Sequence, residues 1–154
     1  MVTMIDLNSI VGKQLQTAKK FYVSDINALS EEKLVQRIGN ARSPYDFSYE
    51  VVMVNRRIAA RLRGEDPGDW PFEGWSVAPD EFCNKATATK EVEDSLTEVE
   101  DAIGADASRT VTTPEGDKSA FEIGSFAALH VMYHGAQLNY IQAMGGDVEV
   151  HWEN

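Results

Sequence analysis

The chain has 154 residues, 43% of them hydrophobic and 25% charged, so it can bury the core of a single domain spanning residues 1–154 and needs no second one. Fourteen Lys and Arg residues against 25 Asp and Glu residues leave a formal net charge of -11. A protein surface with this negative charge repels phosphate backbones and anionic lipid heads, which argues against nucleic acid and membranes as partners.

Helical periodicity begins near the N-terminus. A first long helix is predicted over about residues 7–26, where apolar side chains recur at steps of three and four. These side chains are Leu7, Val11, Leu15, Ala18, Tyr22 and Ile26. A short helix is predicted after Ser30, which can cap it and precedes a charged turn and the apolar Leu34, Val35 and Ile38.

The second long helix has the clearest start signal in the chain. Ser43 can cap it, Pro44 suits its first position and Asp46 falls at its third. The predicted core stripe consists of Phe47, Val51, Val54, Ile58 and Leu62. Gly64 is a natural stop, and the Gly/Pro-rich stretch that follows is predicted to be a loop whose aromatic residues pack onto the helices. Those aromatic residues are Trp70, Phe72 and Trp75.

The third long helix is predicted to start near Pro79 and to end near Gly104. Its predicted buried stripe consists of Phe82, Ala86, Val92, Leu96, Val99 and Ile103. A loop containing the sequence TTPEGD is expected next. Ser119 and Glu122 then have the spacing of a capping box for a fourth long helix, which should end at Gly145.

Two glycines inside the fourth helix, Gly124 and Gly135, weaken it and therefore suggest a close helix approach or a cavity. The tail after Gly146 alternates polar and apolar residues and is predicted to lie extended along the helices. Four amphipathic helices of about 20 residues predict an all-α fold, a four-helix bundle. The long loops at residues 64–78 and 104–118 indicate at least one crossover connection.

The chain shows neither a secretory signal nor an apolar run long enough for a membrane span. Cys83 is the only cysteine, which excludes an internal disulfide and fits a reducing compartment. We therefore expect a cytoplasmic protein.

The fourth helix carries two histidines in the middle of its apolar face. His130 and His134 are one turn apart, so both imidazoles can converge on a single ion. The alternative is a pair of neutral core histidines that are hydrogen-bonded to their neighbours.

A metal site needs a further ligand, and the second helix offers Glu50 at the edge of its core stripe. A carboxylate that points inward needs a cation or a histidine N–H as partner. Neighbouring Tyr49 points to nearly the opposite side of the same helix. The alternatives are a Glu50–histidine hydrogen bond without metal, or a Glu50 exposed to solvent.

The segment HVMYHGAQLNYIQAMGGD, which begins at His130, resembles the last-helix signature of the DinB/YfiT-like superfamily, in which H-x-x-x-H is followed by G-x-Q. Ser43 at the start of the second helix, the TTPEGDKSAFEIG segment and the chain length are also similar to that superfamily. The resemblance therefore extends over nearly the whole chain, although only the fourth-helix motif is specific.

The resemblance implies a four-helix bundle with an unusual helix order, often a homodimer, and a divalent metal such as nickel or zinc held by three histidines. It also implies a small-molecule substrate and, in some relatives, a low-molecular-weight thiol used by a transferase, hydrolase or isomerase. His130 and His134 match the two fourth-helix ligands. The superfamily's remaining histidine falls near Tyr49 or Glu50, where this chain has none; His151 in the tail is the only other histidine.

If Glu50 takes that place, the ligand set becomes two histidines and one carboxylate, as in hydrolytic zinc centres and iron(II) oxygenases. We then expect Glu50 to be the third ligand or a general base and Gln137 to orient a ligand, with Tyr49 beside the cofactor. Tyr133 and Tyr140 could line a pocket or form core or dimer contacts. An anionic thiol could bind Arg56 or Arg57, although cations there also offset the helix dipole. The alternative function is a non-catalytic binding or structural protein that has lost the metal.

Overall fold

The computed structural model of the protein describes residues 4–152 and is mostly helical, as the composition and periodicity predicted. The described chain contains five α-helices, one 3-10 turn and one two-stranded sheet. In chain order the elements are α1 (Leu7–Ala28), α2 (Glu31–Val35), α3 (Pro44–Leu62), the 3-10 turn Asp80–Phe82, α4 (Lys85–Ile103), β1 (Thr110–Thr113), β2 (Gly116–Ser119) and α5 (Ala120–Met144).

Side-chain caps determine where the helices begin. Ser43 caps α3 and Ser119 and Glu122 form a capping box at α5, so both predictions are confirmed. Ser43 and Asp46 also form a full capping box. Ser30 caps α2 through the amide of the third helical residue, which was also predicted. Local hydrogen bonding therefore fixes the residue at which each of these helices begins.

The four long helices bury one continuous apolar core. Helix α1 packs against α4 and α5, and α3 packs against the same two helices. The largest fully buried side chains include Leu15, Tyr22, Ile26, Leu34, Tyr45, Leu96, Leu138 and His134. Helix α5 contacts three helices, and apolar residues cover most of its circumference, as expected for a central helix.

Gly124 lies where α5 comes closest to its neighbours. A Cβ atom at this position would lie 2.6 Å from Ile103 Cδ1 and 2.8 Å from Val11 Cγ2, so α1 and α4 both approach the bare backbone. At Gly135 the nearest such contact is Tyr22 Cδ2 at 3.7 Å, which is an ordinary distance. The predicted close helix approach is therefore confirmed at Gly124.

The start of the third long helix was predicted wrongly. Residues 80–82 form a separate 3-10 turn, and α4 begins only at Lys85, capped by the Asn84 side chain. The break shifts the helical phase, so Ala86 is exposed and Ala88 occupies the core position instead. The rest of the predicted stripe, from Val92 onward, is buried.

The TTPEGD segment forms a hairpin, which the sequence prediction of a loop missed. Strands β1 and β2 pair antiparallel, with Thr113 opposite Gly116 across the turn. Gly116 adopts a φ of 112°, a backbone conformation that side-chain-bearing residues rarely adopt. The hairpin leads directly into the capping box of α5.

The C-terminal tail folds back toward α1. Trp152 packs on Phe21, with ring centroids 4.3 Å apart, and Gln142 donates a hydrogen bond to the backbone oxygen of Glu149. Val148 and Val150 are exposed, and residues 153–154 of the predicted extended tail lie outside the described residues. Across residues 4–152, none of the helices has both the length and the apolar content needed to cross a membrane.

Candidate metal centre

Helices α3 and α5 bring three predicted ligands together. Glu50 lies on α3, two turns after the Ser43 cap, and faces His130 and His134 on α5. Its Oε1 atom lies 3.5 Å from His130 Nε2 and 3.2 Å from His134 Nε2. One ligand atom from each residue lies within 4.8 Å of the other two, so this group could hold a metal ion.

These separations suit a divalent cation. Zinc ligands lie about 2.0–2.2 Å from the ion at tetrahedral angles, which places neighbouring ligand atoms about 3.3 Å apart. The two distances from Glu50 Oε1 bracket that value. The Glu50 and His130 side chains are 17% and 15% exposed, whereas that of His134 is 1% exposed, so the group lies just beneath the surface.

Both ring nitrogens of His134 have polar neighbours. Nδ1 lies 2.6 Å from Gln137 Oε1, and Nε2 lies 3.2 Å from Glu50 Oε1. Burial lowers the pKa of His134, which favours the neutral ring with a single N–H. When Nδ1 carries that proton and donates it to Gln137, Nε2 faces the Glu50 carboxylate as a second acceptor, and a cation between the two would then relieve their repulsion.

His130 is held by ring packing. Its imidazole stacks on Phe126 with centroids 6.2 Å apart, and it meets His134 edge-on at 4.7 Å. Burial lowers the pKa of His130 to about 4. Among the described residues its buried Nδ1 has no hydrogen-bond partner, so Nε2, which faces Glu50, is the nitrogen placed for a ligand role.

The second carboxylate oxygen of Glu50 is held by groups that sequence reasoning missed. Arg42 Nη1 forms an ion pair with Oε2, and the Ser76 hydroxyl lies 3.1 Å from the same atom. Burial alone would raise the pKa of Glu50, but the Arg42 charge and hydrogen bonds outweigh burial and lower it. Glu50 is therefore a charged carboxylate with Oε1 left for the histidines. Arg42 itself lies under Trp75, 4.3 Å from the ring centroid.

Asp46 anchors the same region from the first turn of α3. Its carboxylate accepts two hydrogen bonds from Arg37, both 2.8 Å long, one from the Ser43 amide and one from the Ala78 amide. Its backbone oxygen lies 3.4 Å from the Ser76 hydroxyl. Asp46 therefore ties the segment 76–78 to α3, and this segment supplies one of the groups that hold Glu50.

The remaining predicted residues lie in different places. Gln137 is beside the ligands as expected, whereas Tyr49 packs edge-on against Phe72 and Phe82, with centroids 6.4 and 5.1 Å away. The structure does not bring Tyr49 to the Glu50–histidine group. Arg56 pairs with Glu91 and Glu98, and Arg57 donates to three loop carbonyls, so both cations have partners within the chain.

The tail contains a second group of residues with metal-ligand chemistry. Asp147, Glu149 and His151 each offer one ligand atom within 4.8 Å of the others. His151 Nε2 lies 2.7 Å from Asp147 Oδ2, so a direct hydrogen bond already satisfies this pair. Any measurement of metal binding must therefore distinguish the tail from the α3–α5 group.

Comparisons of the chain with protein-family models, with curated proteins and with solved structures gave no match.

Proposed function

We propose that this chain is a DinB-like four-helix bundle with crossover loops that binds a divalent metal between α3 and α5. The proposal is supported by the fourth-helix motif and by the convergence of Glu50, His130 and His134. The two-histidine, one-carboxylate set suits zinc or iron(II), and the resemblance adds nickel. A cytoplasmic location fits the single cysteine.

The observation that carries this proposal is the position of Glu50 Oε1. It is a charged oxygen at ligand spacing from two imidazole nitrogens, His130 Nε2 and His134 Nε2. With the His134 proton on Nδ1, beside Gln137, two acceptors face each other at Glu50, and such a pair is not normally left without a cation between its members. Three donor atoms from two helices also leave room for a further ligand, as in catalytic sites.

The proposed activity is a transferase or hydrolase reaction on a small molecule, with water or a low-molecular-weight thiol as nucleophile. When bound, a divalent metal supplies Lewis-acid chemistry. The chain's own residues hold the site: Gln137 orients His134, Arg42 and Ser76 fix one oxygen of Glu50, and Phe126 packs on His130. Glu50 Oε1 is also placed to accept a proton.

The alternative is a metal-free binding or structural protein. It is favoured by the unbroken chain of contacts from Arg42 through Glu50 and His134 to Gln137. If the Gln137 amide is rotated, its nitrogen donates to Nδ1 and Nε2–H donates to Glu50, so every polar atom of that chain is satisfied.

The metal content of untagged protein distinguishes the metal-binding proposal from the metal-free alternative. We expect about one equivalent of zinc, nickel or iron per chain after supplementation, and loss of that equivalent in the double variant His130→Ala, His134→Ala. His151→Ala is the matched control for the tail, and this variant should retain the full equivalent of metal. Wild-type protein that holds no metal, or a double variant that still holds a full equivalent, would overturn the metal proposal.

We also propose a homodimer formed through the first half of α5, where the large apolar residues Phe126, Leu129 and Met132 are exposed at helical spacing. Neighbouring exposed apolar side chains of this size are typical of a protein interface. Light scattering should give the mass of two chains for wild type and of one for Leu129→Glu, because Leu129 is 69% exposed and its replacement disturbs no core contact. A wild type with the mass of one chain would exclude the dimer.

A further inference from the structure

A groove next to the Glu50–histidine group has the dimensions of a small-molecule site. It has a volume of about 660 Å³ and lies between the C-terminal half of α5 and residues 33–42. Clefts of this size hold ligands of ordinary metabolite size.

The walls of this groove are mainly apolar and aromatic. Trp75, Tyr133 and Tyr140 line it, and each side chain is more than 60% exposed. Phe47 lines the inner end, and its ring stacks on His134 with centroids 5.4 Å apart and an interplanar angle of 10°. Flat aromatic faces of this kind favour a flat or apolar ligand body.

The charge of the lining differs from that of the rest of the protein. The chain has 25 acidic and 14 basic residues, yet the groove lining within residues 4–152 includes Lys33 and Arg42 and no carboxylate. Lys33 Nζ has a neutral neighbour, the Gln36 side-chain oxygen at 3.4 Å. Arg42 is already paired with Glu50, so Lys33 is the lining cation whose neighbour among the described residues is neutral, and its charge is complementary to an anion.

Two residues that line the groove also contact the candidate metal ligands. Arg42 and Gln137 line the groove, and on their other sides they contact Glu50 and His134 respectively. A molecule in the groove therefore touches the residues that hold two of the three candidate ligands.

We infer that this groove binds an aromatic or similarly apolar organic carboxylate, with its body against Trp75, Tyr133 and Tyr140 and its charge beside Lys33. This inference rests on the proposed function, because it names the substrate class of that site. The neutral form of such a molecule should bind more weakly, since it keeps the stacking and loses the charge interaction.

Calorimetric titration with 2-naphthoate, with neutral 2-naphthamide as the matched probe, tests the inference on the full chain. Wild type should bind naphthoate more tightly than naphthamide. Lys33→Met should weaken naphthoate about fivefold and leave naphthamide unchanged, the size expected for one solvent-accessible charge interaction. Tyr140→Ala should weaken both probes, and Lys90→Met, which removes an exposed lysine on α4, should weaken neither.

Equal affinities for the two probes, absence of binding, or equal effects of Lys33→Met and Lys90→Met would each overturn the inference. The same titrations on the His130→Ala, His134→Ala variant separate it from the metal proposal. If naphthoate binds as expected while wild-type protein holds no metal, the metal proposal fails and the groove is retained. If metal binds and naphthoate does not, the groove inference fails alone.

Discussion

Replacing Asp46 with alanine is expected to lower the free energy of unfolding by about 3 kcal/mol at neutral pH, through loss of a helix cap and of buried hydrogen bonds. The residue is 1% exposed, and its carboxylate accepts from Arg37, Ser43 and Ala78. Removing it leaves two backbone amides without their acceptor and the capping box incomplete. Urea unfolding of wild type and variant measures the difference.

The difference in free energy of unfolding between wild type and Asp46→Ala should depend on pH in a defined direction. Burial raises the pKa of Asp46, but the hydrogen bonds from Arg37, Ala78 and Ser43 outweigh burial and lower it from 3.8 to about 2. A carboxylate with a depressed pKa in the folded state stabilises the protein above its unfolded pKa and loses that contribution as pH falls through the folded one. The difference between wild type and Asp46→Ala should therefore be constant above about pH 5 and shrink toward pH 2.

Asp94→Ala is the control for this measurement. Asp94 is 46% exposed and pairs with Lys90 along α4, so its removal should change stability by less than about 0.5 kcal/mol. An Asp46→Ala effect as small as that of the control, or one that stays constant down to pH 3, would contradict the anchoring role assigned to Asp46.

Replacing Glu50 with glutamine is expected to reduce the affinity for zinc by more than about 100-fold, which exceeds the usual effect of losing an outer-shell partner. Glutamine keeps the shape and one oxygen but removes the negative charge that faces His130 and His134. Titration against a chromophoric chelator measures the affinity directly. Melting temperature is a poor substitute, because the variant also leaves Arg42, whose side chain is 11% exposed, without its carboxylate.

Glu149→Gln is the matched control, since it makes the same chemical change in the tail group. Its affinity for zinc should equal that of wild type. If Glu50→Gln binds zinc as tightly as wild type while Glu149→Gln does not, the zinc binds to the tail group. The proposal of a metal centre between α3 and α5 is then wrong.

The helix starts could be predicted from sequence because their causes are local. A capping serine and an acidic residue three positions later form hydrogen bonds within one turn, as at Ser43 and Ser119. The start of α4 was missed because Phe82 and Ala86 have helical spacing, although Asn84 between them caps a new helix and changes its phase. The hairpin was missed because its strands are four residues long and mostly polar.

The candidate ligands could be predicted in part. His130 and His134 needed only the helical repeat, and Glu50 followed from its position at the edge of the α3 stripe. Arg42 could not be found in the same way, since it precedes the cap of α3 in a segment without periodicity. Its role depends on the loop that brings Ser76 and Trp75 over α3, which is a tertiary contact without a local sequence signal.

The contacts of Ser76 link the stability of the first turn of α3 to the position of the Glu50 carboxylate. Ser76 lies beside both the Asp46 backbone and the Glu50 carboxylate, so fraying of the first turn of α3 would release the group that holds Glu50. Local opening of this kind is visible as amide hydrogen exchange. A cation that binds Glu50 should therefore slow exchange at the amides of Asp46 and Ala78, neither of which would touch it, because ligand binding and local folding are thermodynamically linked.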